Sequence, residues 1–145
     1  MNSINSALFD EGSIGVFTID DYLIILTKNK LKKITEIYAL PKTAGKYEAK
    51  KIGSLNTQSI ITGGDYDPDT KLLALTGTLF FNEYYILKIE NFNLEFNKDY
   101  KIDMYEIPIG KTQVEAIKII DSNTFWITSE DEKSSSSARL MKIKL

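Results

Sequence analysis

The chain has 145 residues, with 18 Lys and Arg against 20 Asp and Glu and a net charge of −2. This balance argues against a nucleic-acid partner, because neutralising phosphates requires a clustered basic surface. The sequence contains no Cys and no His, so disulfides, thiolate or imidazole metal ligands, Cys nucleophiles and a Ser-His-Asp triad are excluded for this chain.

The first unit of the chain, at about 13–55, is predicted to contain four strands. Apolar runs place them at 14–18, 22–27, 35–40 and 48–54. Asp20 and Asp21 separate the first two strands, as is typical of a tight hairpin turn. Four lysines between 28 and 33 follow the second strand, and we interpret them as a solvated loop rather than a binding patch.

The second unit, at about 58–109, repeats this plan. Its strands are predicted at 60–65, 72–76, 84–90 and 101–107. Its second strand is apolar on both faces, which indicates a middle strand that is covered on both sides. The segment 91–97 has no helical apolar stripe and is predicted to be a loop or a strand extension.

Acidic residues alternate between the first two strands of this unit. Asp65, Asp67 and Asp69 have the spacing of a calcium loop, but the sixth and twelfth positions of such a loop would be Thr70 and Thr76 instead of Gly and Glu. The segment also contains Pro, which presets the φ angle of a turn. We therefore interpret it as a hairpin turn.

The third unit, at about 113–145, has predicted strands at 114–119, 124–129 and 139–145. The last strand alternates, with Met141, Ile143 and Leu145 on one face and lysines on the other. The polar run at 132–137 is predicted to be a hairpin loop. No fourth strand follows; residues 4–9 could supply it or could end a preceding unit.

The spacing of the units indicates a repeat architecture. Thr27, Thr76 and Thr128, which end or nearly end the second strands, lie 49 and 52 residues apart. A period near 50 with several strands per unit is typical of β-propeller blades. The predicted fold is all-β, a partial β-propeller of about three four-stranded antiparallel blades within one domain at 1–145.

The number of units predicts a partner. Propellers usually have four to eight blades, and three blades leave two apolar faces and unpaired strand edges uncovered. We expect the chain to be a homo-oligomer, for example a dimer that forms a six-bladed ring, or to be part of a longer propeller whose other half is missing.

The segments ITGGDYDPDTKLLALTG with YYILKIENF, and QVEAIKIIDSNTFWITSE with ARLMKIKL, resemble the C-terminal blades of Bacteroidetes β-propeller proteins of unassigned activity. The resemblance implies an extracellular or cell-surface location. A more distant similarity runs to phytase-like esterase, gluconolactonase-like and NHL propellers. It implies that Glu115, Asp65 and Glu130 could hold calcium or another divalent ion.

Gln113 and Glu115 are the most interesting candidate ligand residues. They begin the first strand of the third unit, which in a propeller borders the central channel, so their side chains would project toward its axis. Glu130 follows the second strand and is expected at the rim. The alternative, that these acids pair structurally with Lys or backbone amides, is favoured for Glu115.

Trp126 lies within the second strand of the third unit. It alternates with Phe125 and Ile127, which favours core packing between blades over a sugar-binding surface. Phe80 belongs to a predicted hairpin loop, where an exposed aromatic tip would suit contact with a partner.

The leading functional hypothesis is a non-catalytic binding or scaffold module without a cofactor. The alternative is a calcium-dependent or other metal-dependent hydrolase of esterase or lactonase type, with carboxylates in the central channel. No apolar run reaches membrane-spanning length, and the N-terminus does not read as a signal peptide.

Overall fold

A computed structural model describes residues 13–80, 83–131 and 134–145. Within these residues the chain is all-β, with eleven strands in three antiparallel sheets of four, four and three strands and no helix. This confirms the predicted fold class, a partial propeller-like arrangement of repeated antiparallel sheets.

The three sheets follow one another along the chain. Sheet 1 contains β1 (Ser13–Ile19), β2 (Tyr22–Thr27), β3 (Thr35–Pro41) and β4 (Lys50–Leu55) in that order. Sheet 2 contains β5 (Ile60–Asp67), β6 (Leu72–Thr78), β7 (Tyr84–Ile89) and β8 (Asp103–Ile107) in that order. Sheet 3 contains β9 (Gln113–Asp121), β10 (Thr124–Asp131) and β11 (Ser134–Lys144), with β10 in the middle.

The last strand begins earlier than the sequence predicts. The polar run 132–137 was expected to be a loop, but β11 already starts at Ser134, which pairs with Asp131 of β10. Ladder hydrogen bonds join backbone groups, so a low-complexity polar sequence can continue a strand when a neighbour is present. Residues 132 and 133, and the closing strand predicted at 4–9, lie outside the described residues.

Short polar turns join the first two strands of each sheet. Asp20, with a φ of 51°, occupies the turn between β1 and β2. The Asp67 carboxylate accepts hydrogen bonds from the backbone N–H of Asp69 at 3.1 Å and the hydroxyl of Thr70 at 2.7 Å. These bonds close the turn between β5 and β6, as expected for an Asp at the start of a turn.

The core lies between the sheets in two layers. The layer between sheets 1 and 2 includes Ile24 and Leu26 of β2 with Leu73 and Leu75 of β6, all fully buried. The layer between sheets 2 and 3 includes Phe125 of β10 and other apolar residues of both sheets. Strand β6 is therefore buried along its whole length, which confirms that it is a middle strand covered on both sides.

All three sheets carry an irregularity at the same place. The register shifts by one residue at Ile14 in β1, Thr62 in β5 and Glu115 in β9. Aligning the sheets on this β-bulge makes Leu26, Thr76 and Thr128 equivalent, so the repeat is 50 and then 52 residues. Thr27, the position that the sequence spacing indicated, follows Leu26 by one residue.

Candidate functional site

The first strands of the three sheets lie side by side, as the inner strands of propeller blades do. β5 contacts both β1 and β9. Small residues permit the close approach: a Cβ placed on Gly15 would lie 3.4 Å from the Gly64 nitrogen, and one placed on Gly63 would lie 3.2 Å from the Ala116 Cα. The candidate site is the end at which these inner strands begin.

Glu115 occupies the bulge of β9, at this end of the inner strands. The bulge leaves Glu115 without a cross-strand partner, and both Glu115 and Ala116 are exposed. Bulges are common beside functional sites because they redirect a side chain out of the ladder. The projection of the Glu115 side chain toward a channel axis stays a prediction.

Lys28, which was predicted only to belong to a solvated loop, also lies at this end. Burial lowers the pKa of Lys28, and the positive charge of Lys30 lowers it further, while Glu115 opposes both effects. Lys28 follows β2 in sheet 1 and Glu115 belongs to sheet 3, so an ammonium and a carboxylate of different sheets act on one another. The lysine run in the sequence could have signalled this position, but not its partner.

Asp65 has a structural role in the described contacts. Its carboxylate accepts the backbone N–H of Ile119 at 2.8 Å and contacts the Lys118 Nζ at 2.9 Å. The side chain is only 14% exposed. Asp65 therefore links β5 to β9 through its carboxylate. It lies two positions beyond Gly63, where an added Cβ would lie 3.3 Å from the Glu115 carbonyl oxygen.

Gln113 and Glu130 are paired across β9 and β10. The side chain of Glu130 is exposed, and its backbone carbonyl accepts the hydroxyl of Thr112 at 3.1 Å. Gln113 is half-buried. The structure thus brings Gln113, Glu115 and Glu130 to one end of sheet 3 and leaves Asp65 bonded elsewhere.

Buried hydroxyl groups, which were not among the predicted site residues, also lie at this end. The hydroxyl of Thr62 donates to the hydroxyl of Thr76 at 3.0 Å, directly at the bulge of β5. The Ser129 hydroxyl is 3% exposed at the residue level and has no hydrogen-bond partner among the described atoms. The recurrence of Thr and Ser where the second strands end is the feature of the sequence that could have indicated these hydroxyl groups.

The arrangement brings the Glu115 carboxylate, the Gln113 amide and the Lys28 ammonium group to one end of the inner strands. In the described parts of the chain, no three Asp, Glu, His or Cys side chains lie close enough together to hold a metal ion. The same residues include no helix long and apolar enough to cross a membrane.

Trp126 is not buried among the described residues. It is 39% exposed and points away from sheet 2, with the Lys142 Nζ 5.9 Å from its ring centroid. Sheet 3 is the last of the described sheets and no neighbour among them covers this face, so packing of Trp126 between blades stays a prediction. Phe80 is exposed as predicted, with the Lys33 Nζ 5.6 Å from its ring centroid.

No protein-family model matches the chain, and a search of curated proteins finds no match.

Proposed function

We propose that the chain is a non-catalytic binding or scaffold module that closes its propeller with a second copy. The open face of sheet 3 in one copy would pack on the open face of sheet 1 in the other. Two copies would supply six sheets, which is within the usual size range of propellers. The remaining central end, with Glu115 and Gln113, would then border an axial channel.

The observation that supports this proposal is the burial of equivalent positions. On the face that looks toward the following sheet, Ile24 in sheet 1 and Ala74 in sheet 2 are fully buried, whereas the equivalent Trp126 in sheet 3 is 39% exposed. A tryptophan at a position where the repeat expects contact with a following sheet favours a missing neighbour.

The opposite face shows the same relationship. Leu75 of sheet 2 and Ile127 of sheet 3 are fully buried against the preceding sheet, whereas the equivalent Ile25 of sheet 1 is only half-buried and its cross-strand neighbour Val16 is 60% exposed. Apolar side chains left open in this way lower the free energy when a partner covers them, by roughly 25 cal/mol per Å².

Charge favours pairing of these two faces rather than of two like faces. Lys118 and Lys142 are the cross-strand neighbours of Trp126 on sheet 3. The open face of sheet 1 presents Glu36, whose carboxylate is paired with Lys51 and also accepts a hydrogen bond from Tyr38. Lys118 is paired with Asp65, so a contact between two copies of sheet 3 opposes Lys142 to Lys142, whereas a head-to-tail contact sets Lys142 against the neutral Glu36–Lys51 pair.

The oligomeric state tests the proposal. We expect light scattering with sedimentation to give a species of twice the 16.5 kDa chain mass. Trp126→Glu should give a folded monomer, because formation of the dimer would require the new carboxylate to be buried in the contact between the sheets. Leu31→Glu is the matched control, since Leu31 is 91% exposed in a loop, and it should leave the dimer intact.

A stable, folded, monodisperse monomer of the unchanged chain would contradict the proposal. An aggregate that becomes soluble only when further blades precede the chain would also contradict it and would favour a longer propeller. The extracellular or surface location, and the membership in the Bacteroidetes group, stay predictions of the resemblance.

The alternative, a calcium-dependent hydrolase, also stays a prediction. Its test is thermal unfolding with calcium and with a chelator, in the unchanged chain and in Glu115→Ala. A calcium-dependent rise of several degrees that is lost in Glu115→Ala would support the alternative. Asp65 is engaged by Ile119 and Lys118, and the described residues include no group of three acidic side chains close enough together to hold a metal ion.

A further inference from the structure

A groove of about 740 Å³ lies at the hairpin end of sheet 1. Ala39, which lines it, packs toward the core between sheets 1 and 2, so the groove is on the side of sheet 1 opposite its open face and does not depend on ring closure. Sites for small molecules commonly have volumes of roughly 300–1,000 Å³.

The floor of the groove is apolar. It is formed by Ala39, Pro41, Ile52 and Leu94, all half-buried. The register of β3 and β4 shifts between Ile37 and Tyr38, and the shift leaves Ile52 as the extra residue of a bulge. The bulge adds an apolar side chain to this face without adding a cross-strand neighbour that would cover it.

The segment after β7 packs on β4 beside the groove, and its residue Leu94 belongs to the groove lining. Phe96 lies directly on Gly53, where a Cβ would overlap the ring. Its ring also packs edge-on against Phe92 and Tyr100. Leu94 then adopts a φ of 61°, a conformation that is uncommon for a residue with a branched side chain and that is retained where the surrounding structure requires it.

Tyr47, which is 37% exposed, forms one wall of the groove. Its hydroxyl shares a hydrogen bond of 2.7 Å with the Thr43 hydroxyl. Its ring packs on Gly45, where a Cβ would lie 2.9 Å from ring atoms. Tyr22, 48% exposed, contributes a second aromatic surface to the lining. Aromatic walls offer a flat apolar surface on which a flat molecule can stack.

The rim carries an excess of positive charge. Lys46, Lys50 and Glu48 line it. The ion pairs found among the described residues include neither lysine. Two ammonium groups against one carboxylate beside an apolar floor favour an anion over a cation.

We propose that this groove binds a small ligand with a flat apolar body and one anionic group, the class of aryl-alkyl carboxylates. The body lies on Ala39, Ile52 and Leu94 beside the Tyr47 ring. The carboxylate faces Lys46 and Lys50 at the rim. The interaction is non-covalent.

The test uses 4-phenylbutyrate and its cationic counterpart 4-phenylbutylamine, each titrated into the full chain and followed by two-dimensional amide NMR. We expect saturable shifts at Ala39, Tyr47 and Ile52 with the acid. The amine should bind at least about fivefold more weakly, because it opposes the rim lysines. Equal binding of the two probes, or shifts confined to other regions, would overturn the proposal.

Two variants separate the rim from the wall. Lys50→Glu should weaken binding of the acid about fivefold or more and reverse the preference toward the amine. Lys111→Glu, an exposed loop substitution, is the matched control and should bind as the unchanged chain does. Tyr47→Ser should weaken both probes. Unchanged binding of the acid by Lys50→Glu would contradict the role of the rim.

Discussion

The carboxylate of Asp65 in β5 accepts the backbone N–H of Ile119 in β9 at 2.8 Å. The two residues are 54 positions apart in the chain and belong to different sheets. A side chain of sheet 2 thus satisfies a backbone donor of sheet 3 at the point where the two inner strands meet.

Asp65→Ala is expected to destabilise the fold by about 1–3 kcal/mol, because it removes the acceptor of a half-buried backbone donor. Chemical unfolding at neutral pH measures the difference. Asp69→Ala is the matched control: Asp69 is an exposed acid in the turn of the same sheet and should change the free energy of unfolding by less than about 0.5 kcal/mol. Equal effects would contradict the structural role of Asp65.

Gly63→Ala is expected to destabilise the fold by about 1–3 kcal/mol through overpacking. The new Cβ would lie 2.9 Å from the Thr76 Oγ1 and 3.2 Å from the Ala116 Cα, and the backbone of a neighbouring strand cannot move away cheaply. Gly15→Ala is the control, because its Cβ would meet no atom closer than 3.4 Å. Thermal and urea unfolding should place Gly15→Ala near the unchanged chain; a larger loss there than at Gly63 would refute the argument.

Phe92→Ala is expected to cost about 3–5 kcal/mol, since it empties a large buried site. Phe92 is fully buried and packs against Tyr66 and Tyr100, with ring centroids 6.1 and 5.1 Å away. The Tyr66 hydroxyl also donates to the Phe92 carbonyl at 3.1 Å. Chemical unfolding measures the loss, and Phe80→Ala, an exposed loop substitution, should leave stability almost unchanged.

The Asp67 turn predicts a dependence on pH. The hydroxyl of Thr70, followed by the backbone N–H of Asp69, lowers the pKa of Asp67 from its ordinary value of 3.8. A carboxyl whose pKa is lower in the folded state stabilises the fold above its ordinary pKa, and that contribution is lost as the pH falls through the lowered pKa. The stability difference between the unchanged chain and Asp67→Ala should therefore shrink between about pH 5 and pH 2. Unfolding curves across this range measure it; a difference that grows toward low pH would contradict the assignment.

The interaction between Lys28 and Glu115 can be measured directly. Glu115 raises the pKa of Lys28 while burial and Lys30 lower it. Glu115→Gln should therefore lower the pKa of Lys28 further, and Lys30→Gln should raise it. Side-chain NMR titration of Lys28 follows both, with Glu48→Gln as a control at the opposite end of sheet 1. No change in Glu115→Gln would remove Glu115 from the surroundings of Lys28.

The strands were largely predictable because their signals are local. The apolar run at 22–27 coincides with β2, and the alternation of Met141, Ile143 and Leu145 with lysines agrees with a strand that has one covered and one open face. The Asp-containing turns are equally local, because an Asp side chain bonds backbone groups two residues away. Alternation and turn chemistry therefore determined the sheets, and their repetition determined the fold class.

Which face each side chain meets was decided only by the tertiary structure. Trp126 and Ala74 occupy equivalent positions in the repeat, yet one is exposed and the other is buried, because burial depends on whether a further sheet lies alongside. The β-bulges behave in the same way: a one-residue register shift at Glu115 leaves no mark in a strand's composition. The sequence suggested Asp65 as a ligand residue, but in the structure its carboxylate accepts the backbone N–H of Ile119. A pairing across 54 residues follows from the packing of the sheets and not from the sequence around either residue.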